Sequence, residues 1–181
     1  TTPTWGTSFQ ARWTQNLTMS DDRRFTADRF YGGVSDRLDN LRSMLRYVRE
    51  ESVSRPQLAA WVIRNTRAGS QEAVDHHLAF LESIDIVKLS DSACELGEYG
   101  QRWLDDNEPE TLYDALSTGV RGFDILLEAL RDGPMTDEEI MDLLVNHFDE
   151  MEMTTPGPAK RHREWLQVLG MIERRDGVNH I

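Results

Sequence analysis

Ser70-Gln71-Glu72-Ala73-Val74-Asp75-His76-His77-Leu78-Ala79-Phe80-Leu81-Glu82-Ser83-Ile84-Asp85-Ile86-Val87 and Thr155-Pro156-Gly157-Pro158-Ala159-Lys160-Arg161-His162-Arg163-Glu164-Trp165-Leu166-Gln167-Val168-Leu169-Gly170-Met171-Ile172 are two copies of one pattern. The offset of 85 carries Val74 to Ala159, His77 to His162, Phe80 to Trp165, Leu81 to Leu166 and Ile84 to Leu169. Further upstream the offset is 82. It carries Leu41, Met44, Leu45 and Val48 to Phe123, Leu126, Leu127 and Leu130, Ser54 to Thr136, and Leu58 to Ile140. Apolar agreement over so many positions at nearly constant spacing marks an internal repeat.

Each copy reads as three helices and a hairpin. In the first, Ser35 caps a helix with Leu38, Leu41, Leu45 and Val48 on one stripe. Ser54 caps the second, with Pro56 early and Leu58, Trp61 and Val62 inward. Thr66–Gly69 turns the chain, and Ser70 opens the third helix, with Val74, His77, Leu78 and Leu81 inward. Ile86–Leu89 and Ala93–Leu96 alternate as short strands. In the second copy Phe123–Leu130 is the first helix, ended by Asp132-Gly133-Pro134. Thr136 and Glu139 form a capping box for the next. Thr155 opens the third, which runs to Gly170. Met171–Arg174 and Val178–Ile181 flank the two-residue hairpin signal Asp176-Gly177. Glu98–Leu104 is a short amphipathic helix, and Asn107-Glu108-Pro109 is read as the linker. The expected fold class is therefore mainly α with small β wings, arranged as an N-terminal arm (1–34), a first unit (35–106) and a second (110–181).

Composition restricts the function. No run approaches the ~18–20 apolar residues of a membrane-spanning helix. Thr1–Gln15 has no basic segment followed by an apolar one, so no signal peptide is expected and a cytoplasmic site is. One cysteine, Cys94, allows no internal disulfide framework. The formal net charge of −12 comes from 32 acids against 20 bases. Eighteen of those bases are arginines, only Lys88 and Lys160 are lysines, and 17 of the acids are aspartates. An acid-rich, lysine-poor surface of this kind resembles that of salt-in halophiles, where hydrated carboxylates maintain solubility and longer-range fields are screened. Under that reading net charge does not exclude a nucleic-acid partner.

Three helices followed by a two-stranded wing, with third helices ending in Leu81-Glu82-Ser83-Ile84-Asp85-Ile86-Val87 and Leu166-Gln167-Val168-Leu169-Gly170-Met171-Ile172, resemble tandem winged helix-turn-helix DNA-binding proteins of halophilic archaeal type. Cys94-Glu95-Leu96-Gly97-Glu98-Tyr99-Gly100-Gln101-Arg102-Trp103-Leu104 is similar to the way such domains leave the wing for a final helix. The second copy also resembles winged-helix modules of prokaryotic restriction and defence systems. The resemblance implies double-stranded DNA binding, with the third helix in the major groove and the wing on the backbone. It points to a transcriptional regulator or the DNA-reading module of a larger complex. Carried onto this sequence, it puts Lys160, Arg161, Arg163 and Gln167 on the outward face of the second third helix, Thr155 at its positive end, and Arg174 and Arg175 in the wing. Residues 154–175 hold five bases and two acids, whereas residues 135–153 hold seven acids and no base. The first copy offers Arg64, Arg67 and Gln71, but its residues 64–88 sum to −1. It is expected to contact DNA weakly or to serve as a platform for packing and dimerisation. A homodimer on paired half-sites fits the resemblance. The competing reading is a protein-interaction scaffold without DNA contact.

The N-terminal stretch Arg12–Arg49 interleaves eight arginines with Trp13, Phe25, Phe30 and Tyr31. It reads either as an arm along a groove or as a segment that packs back on the domain. Trp61, Phe80, Trp103 and Trp165 fit core spacing, as do Met135, Met141, Met151, Met153 and Met171. His77 and His162 read as hydrogen-bonded core histidines. Adjacent residues of Asp75-His76-His77 diverge by about 100° on a helix, which argues against a metal cluster. No glycine-rich phosphate loop is present, Cys94 has no positioned base, and Glu138-Glu139 and Asp105-Asp106 suit a helix start and a linker. The expectation is a binding protein, not an enzyme, with no metal or cofactor.

Overall fold

Serine and threonine side chains that accept from backbone N–H groups set where the central helices begin. In the computed structural model, which describes residues 22–148 and 153–181, Ser54 and Gln57 form a reciprocal capping box, and so do Thr136 and Glu139. Ser70 accepts from the Ala73 N–H at 3.2 Å. The first copy consists of α1 (Gly33–Glu50), α2 (Arg55–Asn65), α3 (Gln71–Ser83), β1 (Val87–Lys88), β2 (Glu95–Leu96) and α4 (Glu98–Asp106). Next come α5 (Pro109–Gly119), α6 (Phe123–Asp132), β3 (Met135–Thr136), α7 (Asp137–His147), α8 (Gly157–Val168), β4 (Glu173–Arg175) and β5 (Val178–His180). The fold is mainly helical, with a two-stranded antiparallel sheet β1-β2 and a three-stranded one ordered β3-β5-β4.

Both third helices end in the same way. Asp85 and Gly170, equivalent under the repeat, take positive φ of 60° and 74°. The following amides of Ile86 and Met171 reach back to the carbonyls of Leu81 and Leu166 at 3.0 and 2.9 Å. This is the bonding of a helix closed by a left-handed residue, and it aims each chain into its wing. Asp176 and Gly177, with φ of 52° and 77°, close the second wing as a two-residue turn between the paired Arg175 and Val178. Left-handed conformation at both central positions matches the strand twist.

Several boundaries differ from the sequence reading. α1 begins at Gly33 behind a left-handed Gly32, and no side chain caps it, so Ser35 is not its cap. Pro109 is not in a linker. It is an early residue of α5, whose Thr111, Leu112, Ala115 and Leu116 are buried. Proline needs no N–H there, which makes it a good helix opener. α8 starts two residues later than expected, because Pro156 occupies the cap position. β3 is an additional strand, pairing Met135 with Asn179 and Thr136 with Val178.

The two copies share one apolar core. It runs through Leu41, Met44 and Leu45 of α1, Leu78 and Phe80 of α3, Trp103 of α4, Phe123 of α6, and Trp165 and Leu166 of α8. Residues 22–32 lie as a strap across both copies. The Arg24 N–H donates to the Gly119 carbonyl, and the Arg24 carbonyl accepts from the Arg121 N–H. Ala27 and Phe30 are buried, and the Trp165 indole N–H donates to the Asp28 carbonyl at 2.5 Å. For these residues, packing back on the domain is the correct alternative. Residues 1–21, with Arg12 and Trp13, and Met151 lie outside the described residues. Among the described residues, no helix is long and apolar enough to cross a membrane.

Candidate nucleic-acid interface

The inward face of α8 follows from Ala159, His162 and Leu166 at three- and four-residue spacing. His162 is fully buried, and its Nε2 donates to the Arg121 carbonyl at 2.8 Å. Burial pushes its pKa below the ordinary histidine value, so the ring is held neutral. The opposite flank is not open. Trp165 is covered by the strap and by Arg37 of α1, whose guanidinium lies over the indole 4.7 Å from its centre. Arg37 also pairs with Glu164. Lys160 is exposed, and Arg161 is partly so.

Arg163 is a correction to the sequence reading. It does not stand on an outward face: it is 9% exposed, and its Nε and Nη2 donate to the two Asp137 oxygens at 3.2 Å each. Its Nη1 donates to Gln167 Oε1 at 3.1 Å, so Gln167 too is engaged within the protein. Arg174 Nη1 donates to Asp137 Oδ2 at 2.9 Å, and the buried Asn179 amide donates to Asp137 Oδ1 and to the Met135 carbonyl, both at 3.0 Å. Burial raises the Asp137 pKa, but the donors Asn179, Arg163 and Arg174 outweigh it and hold the carboxyl below its usual range. One aspartate at the start of α7 thus ties α8 to the outer strand β4 and to the central strand β5. Arg163 and Arg174, two of the sequence-derived contacts, are its partners.

The remaining cations gather at the first turns of α8. A groove of about 560 Å³ is lined by Thr26, Arg29, Gly157, Pro158, Lys160, Arg161, Arg163 and Glu164; with Arg163 neutralised by Asp137, three cations remain against one acid. Arg29 comes from the strap and is exposed. Sequence reasoning did not single it out, since only its presence in an arginine-rich stretch was visible. Arg161 Nη1 lies 3.8 Å from Asp28 Oδ1, too far for a firm pair. Thr155 is exposed just before the helix, and Arg175 is exposed in the wing, where it pairs with its neighbour Glu173. Arg163 lines the groove and shares Asp137 with Arg174, so one carboxylate joins the wall of the groove to β4.

The first copy arranges its cations differently. Arg64, Arg67 and Gln71 are exposed. Arg64 and Arg67 border a hollow of about 710 Å³ together with Asp36 and Asp39, which offset them. The exposed face of α3 carries Glu72, His76 and Glu82. His77 is half-buried, with Nδ1 3.1 Å from Asp28 Oδ1. Cys94 is buried, its Sγ 3.6 Å from the Ser90 carbonyl. Phe80, Trp103 and Trp165 are core residues, and Trp61 stacks on Tyr47. Among the described residues, no group of three or more histidine, cysteine or acidic side chains is placed to hold a metal ion.

No curated protein and no solved structure matches the chain. The sequence pattern of one family, described as the halobacterial double winged helix domain, covers residues 33–180. That span includes both copies, both wings and the start of α1. The chain belongs to the halobacterial double winged helix domain family.

Proposed function

We propose that the protein binds double-stranded DNA through the groove at the start of α8 and the adjoining wing, acting as a transcriptional regulator or as the DNA-reading module of a larger complex. The observation that carries this reading is the convergence of Arg29, Lys160 and Arg161 at one groove, beside a single lining acid that is itself paired with Arg37, in a chain of net charge −12. Helix N-termini and arginine forks suit phosphate oxygens. Lys160, Arg161 and Arg29 are the phosphate contacts, with Thr155 and Arg175 at the edges of the footprint. Arg163, Gln167 and Arg174 hold the helix and wing in register and act through position. Arg64, Arg67 and Gln71 form a weaker secondary surface. Two copies of the chain on paired half-sites would double the footprint.

Fluorescence anisotropy with a labelled duplex, in potassium chloride stepped downward from molar concentration, tests this reading. Replacing Arg29, Lys160 and Arg161 together by glutamine should weaken binding at least tenfold. It should also flatten the dependence of log K on log salt by roughly 0.9 per lost phosphate contact. Equal affinity and slope for wild type and variant would remove these residues from the interface. A second reading, a protein-interaction scaffold, draws on one observation: α8 is packed against α1 and the strap along most of its length, which leaves little of it to enter a major groove. No measurable duplex binding at any salt concentration would favour the scaffold.

A further inference from the structure

A second cavity, of about 440 Å³, lies at the seam between the copies and is lined by Arg29, Phe30, Tyr31, Gly32, Gly33, Arg37, His77, Arg161 and Glu164. Its chemistry is one-sided. Arg37 is 1% exposed, and its Nη2 is satisfied by Glu164, but its Nε and Nη1 have no hydrogen-bond partner among the described residues. The buried Tyr31 hydroxyl also has none among them. An unsatisfied buried guanidinium edge costs free energy unless something accepts from it.

The first turn of α1 faces the same space. Gly32 and Gly33 line the cavity, and among the described residues no side chain caps the start of this 18-residue helix. A Cβ on Gly33 would meet nothing within 4 Å, so the space beside the helix start is open. The first N–H groups of a helix and its dipole favour an anion. Of the acids nearby, Glu164 pairs with Arg37, the Asp28 carboxylate lies against His77 and near Arg161, and Asp36 in the first turn of α1 lines the neighbouring hollow with Arg64 and Arg67.

We propose that this seam cavity is a binding site for a small oxyanion, a phosphate or a carboxylate, received by the free edge of Arg37, the Tyr31 hydroxyl, Arg29, Arg161 and the start of α1. Arginine's planar fork pairs with either group through two parallel hydrogen bonds. The volume exceeds that of the anion itself, and Phe30 and Tyr31 flank the remainder, so the ligand carries its charge on a small organic body. Arg29 and Arg161 line both this cavity and the groove assigned above to DNA. An occupied cavity therefore withdraws two cations from that groove and weakens duplex binding. This consequence rests on the DNA reading, whereas the anion site does not.

Isothermal titration of the full chain without DNA, at fixed potassium concentration and against a potassium chloride control, provides the test. The probes are inorganic phosphate and succinate. Saturable binding of at least one is expected. Phosphate alone would assign the site to phosphate-bearing ligands, succinate alone to carboxylates. Arg37→Gln should weaken binding roughly tenfold, the loss expected for hydrogen bonds to a charged group. Because Arg37 is buried, Arg161→Gln and Tyr31→Phe are measured beside it, with expected losses of roughly tenfold and threefold. Heats no different from the chloride control for both probes would overturn the proposal. So would binding that persists undiminished in Arg161→Gln and Tyr31→Phe. If the anion binds and duplex affinity is unaffected by it, the anion site stands and the shared use of Arg29 and Arg161 fails.

Discussion

The two third helices descend from one pattern yet divide exposure and charge between them. α3 leaves a face open to solvent, and that face is acidic through Glu72 and Glu82. α8 carries the cations, but α1 and the strap cover most of it, so that only its first turns remain accessible. Position by position, Leu78 of the first copy corresponds to Arg163 of the second, Arg55 to Asp137, and Leu89 to Arg174. Where the first copy has two leucines and an arginine, the second has a carboxylate holding two guanidiniums. A winged helix can thus be retained as a fold while its third helix is turned to packing, and the cations that stay accessible then lie at the helix start and on the flanking strap.

The largest expected effect lies at this exchange. Asp137→Ala leaves Arg163 buried without a counter-charge and should destabilise the protein by about 3–5 kcal/mol in chemical denaturation at molar potassium chloride. Arg55→Ala, at the matching position, should cost less than about 0.5 kcal/mol. Comparable losses at both positions would erase the distinction between the copies.

The histidines give a smaller contrast. His162 is held neutral in the folded state, so the unfolded chain takes up its proton first on acidification. Its contribution to stability is complete above about pH 6.5 and is lost as pH falls toward the lowered folded value. Urea unfolding between pH 7.5 and 5.5 should therefore show stability falling by up to about 1.4 kcal/mol per pH unit from this group. His162→Gln removes that component, and the same change at His77 leaves it in place. An unchanged pH slope in His162→Gln would mean that its ring is not held neutral.

The smallest effect tests what the copies share. Ser54→Ala and Thr136→Ala each remove one half of a capping box and should each cost about 1 kcal/mol in the same assay. A large inequality would show that the second helices are not equivalent supports.

Much of the fold was legible because it rests on local chemistry. Apolar spacing gave the helices of each copy, Ser54, Ser70 and Thr136 marked three helix starts, and Asp176-Gly177 marked the wing turn. α5 is absent from the sequence reading, although Leu112, Ala115 and Leu116 have helical spacing, because Asn107-Glu108-Pro109 reads as a linker whereas Pro109 opens the helix. β3 is two residues long and exists through its pairing with β5, which no local signal announces. For the site, the clustering of cations in residues 154–175 was visible, and their orientation was not. Arg163 looks outward until Asp137, 26 residues earlier, is seen to meet it. Arg29 joins the groove only because the strap folds back through Asp28 and Trp165, 137 residues apart.

The central claim is that nucleic acid meets the start of α8 and not the open face of α3. The most direct measurement is a titration of the isotope-labelled protein with a short duplex in potassium chloride, followed by backbone amide chemical shifts. The account predicts perturbations concentrated at Arg29, Gly157, Lys160, Arg161 and Arg175. Perturbations centred on Gln71, Glu72 and His76 of α3, with those five residues unmoved, would contradict it.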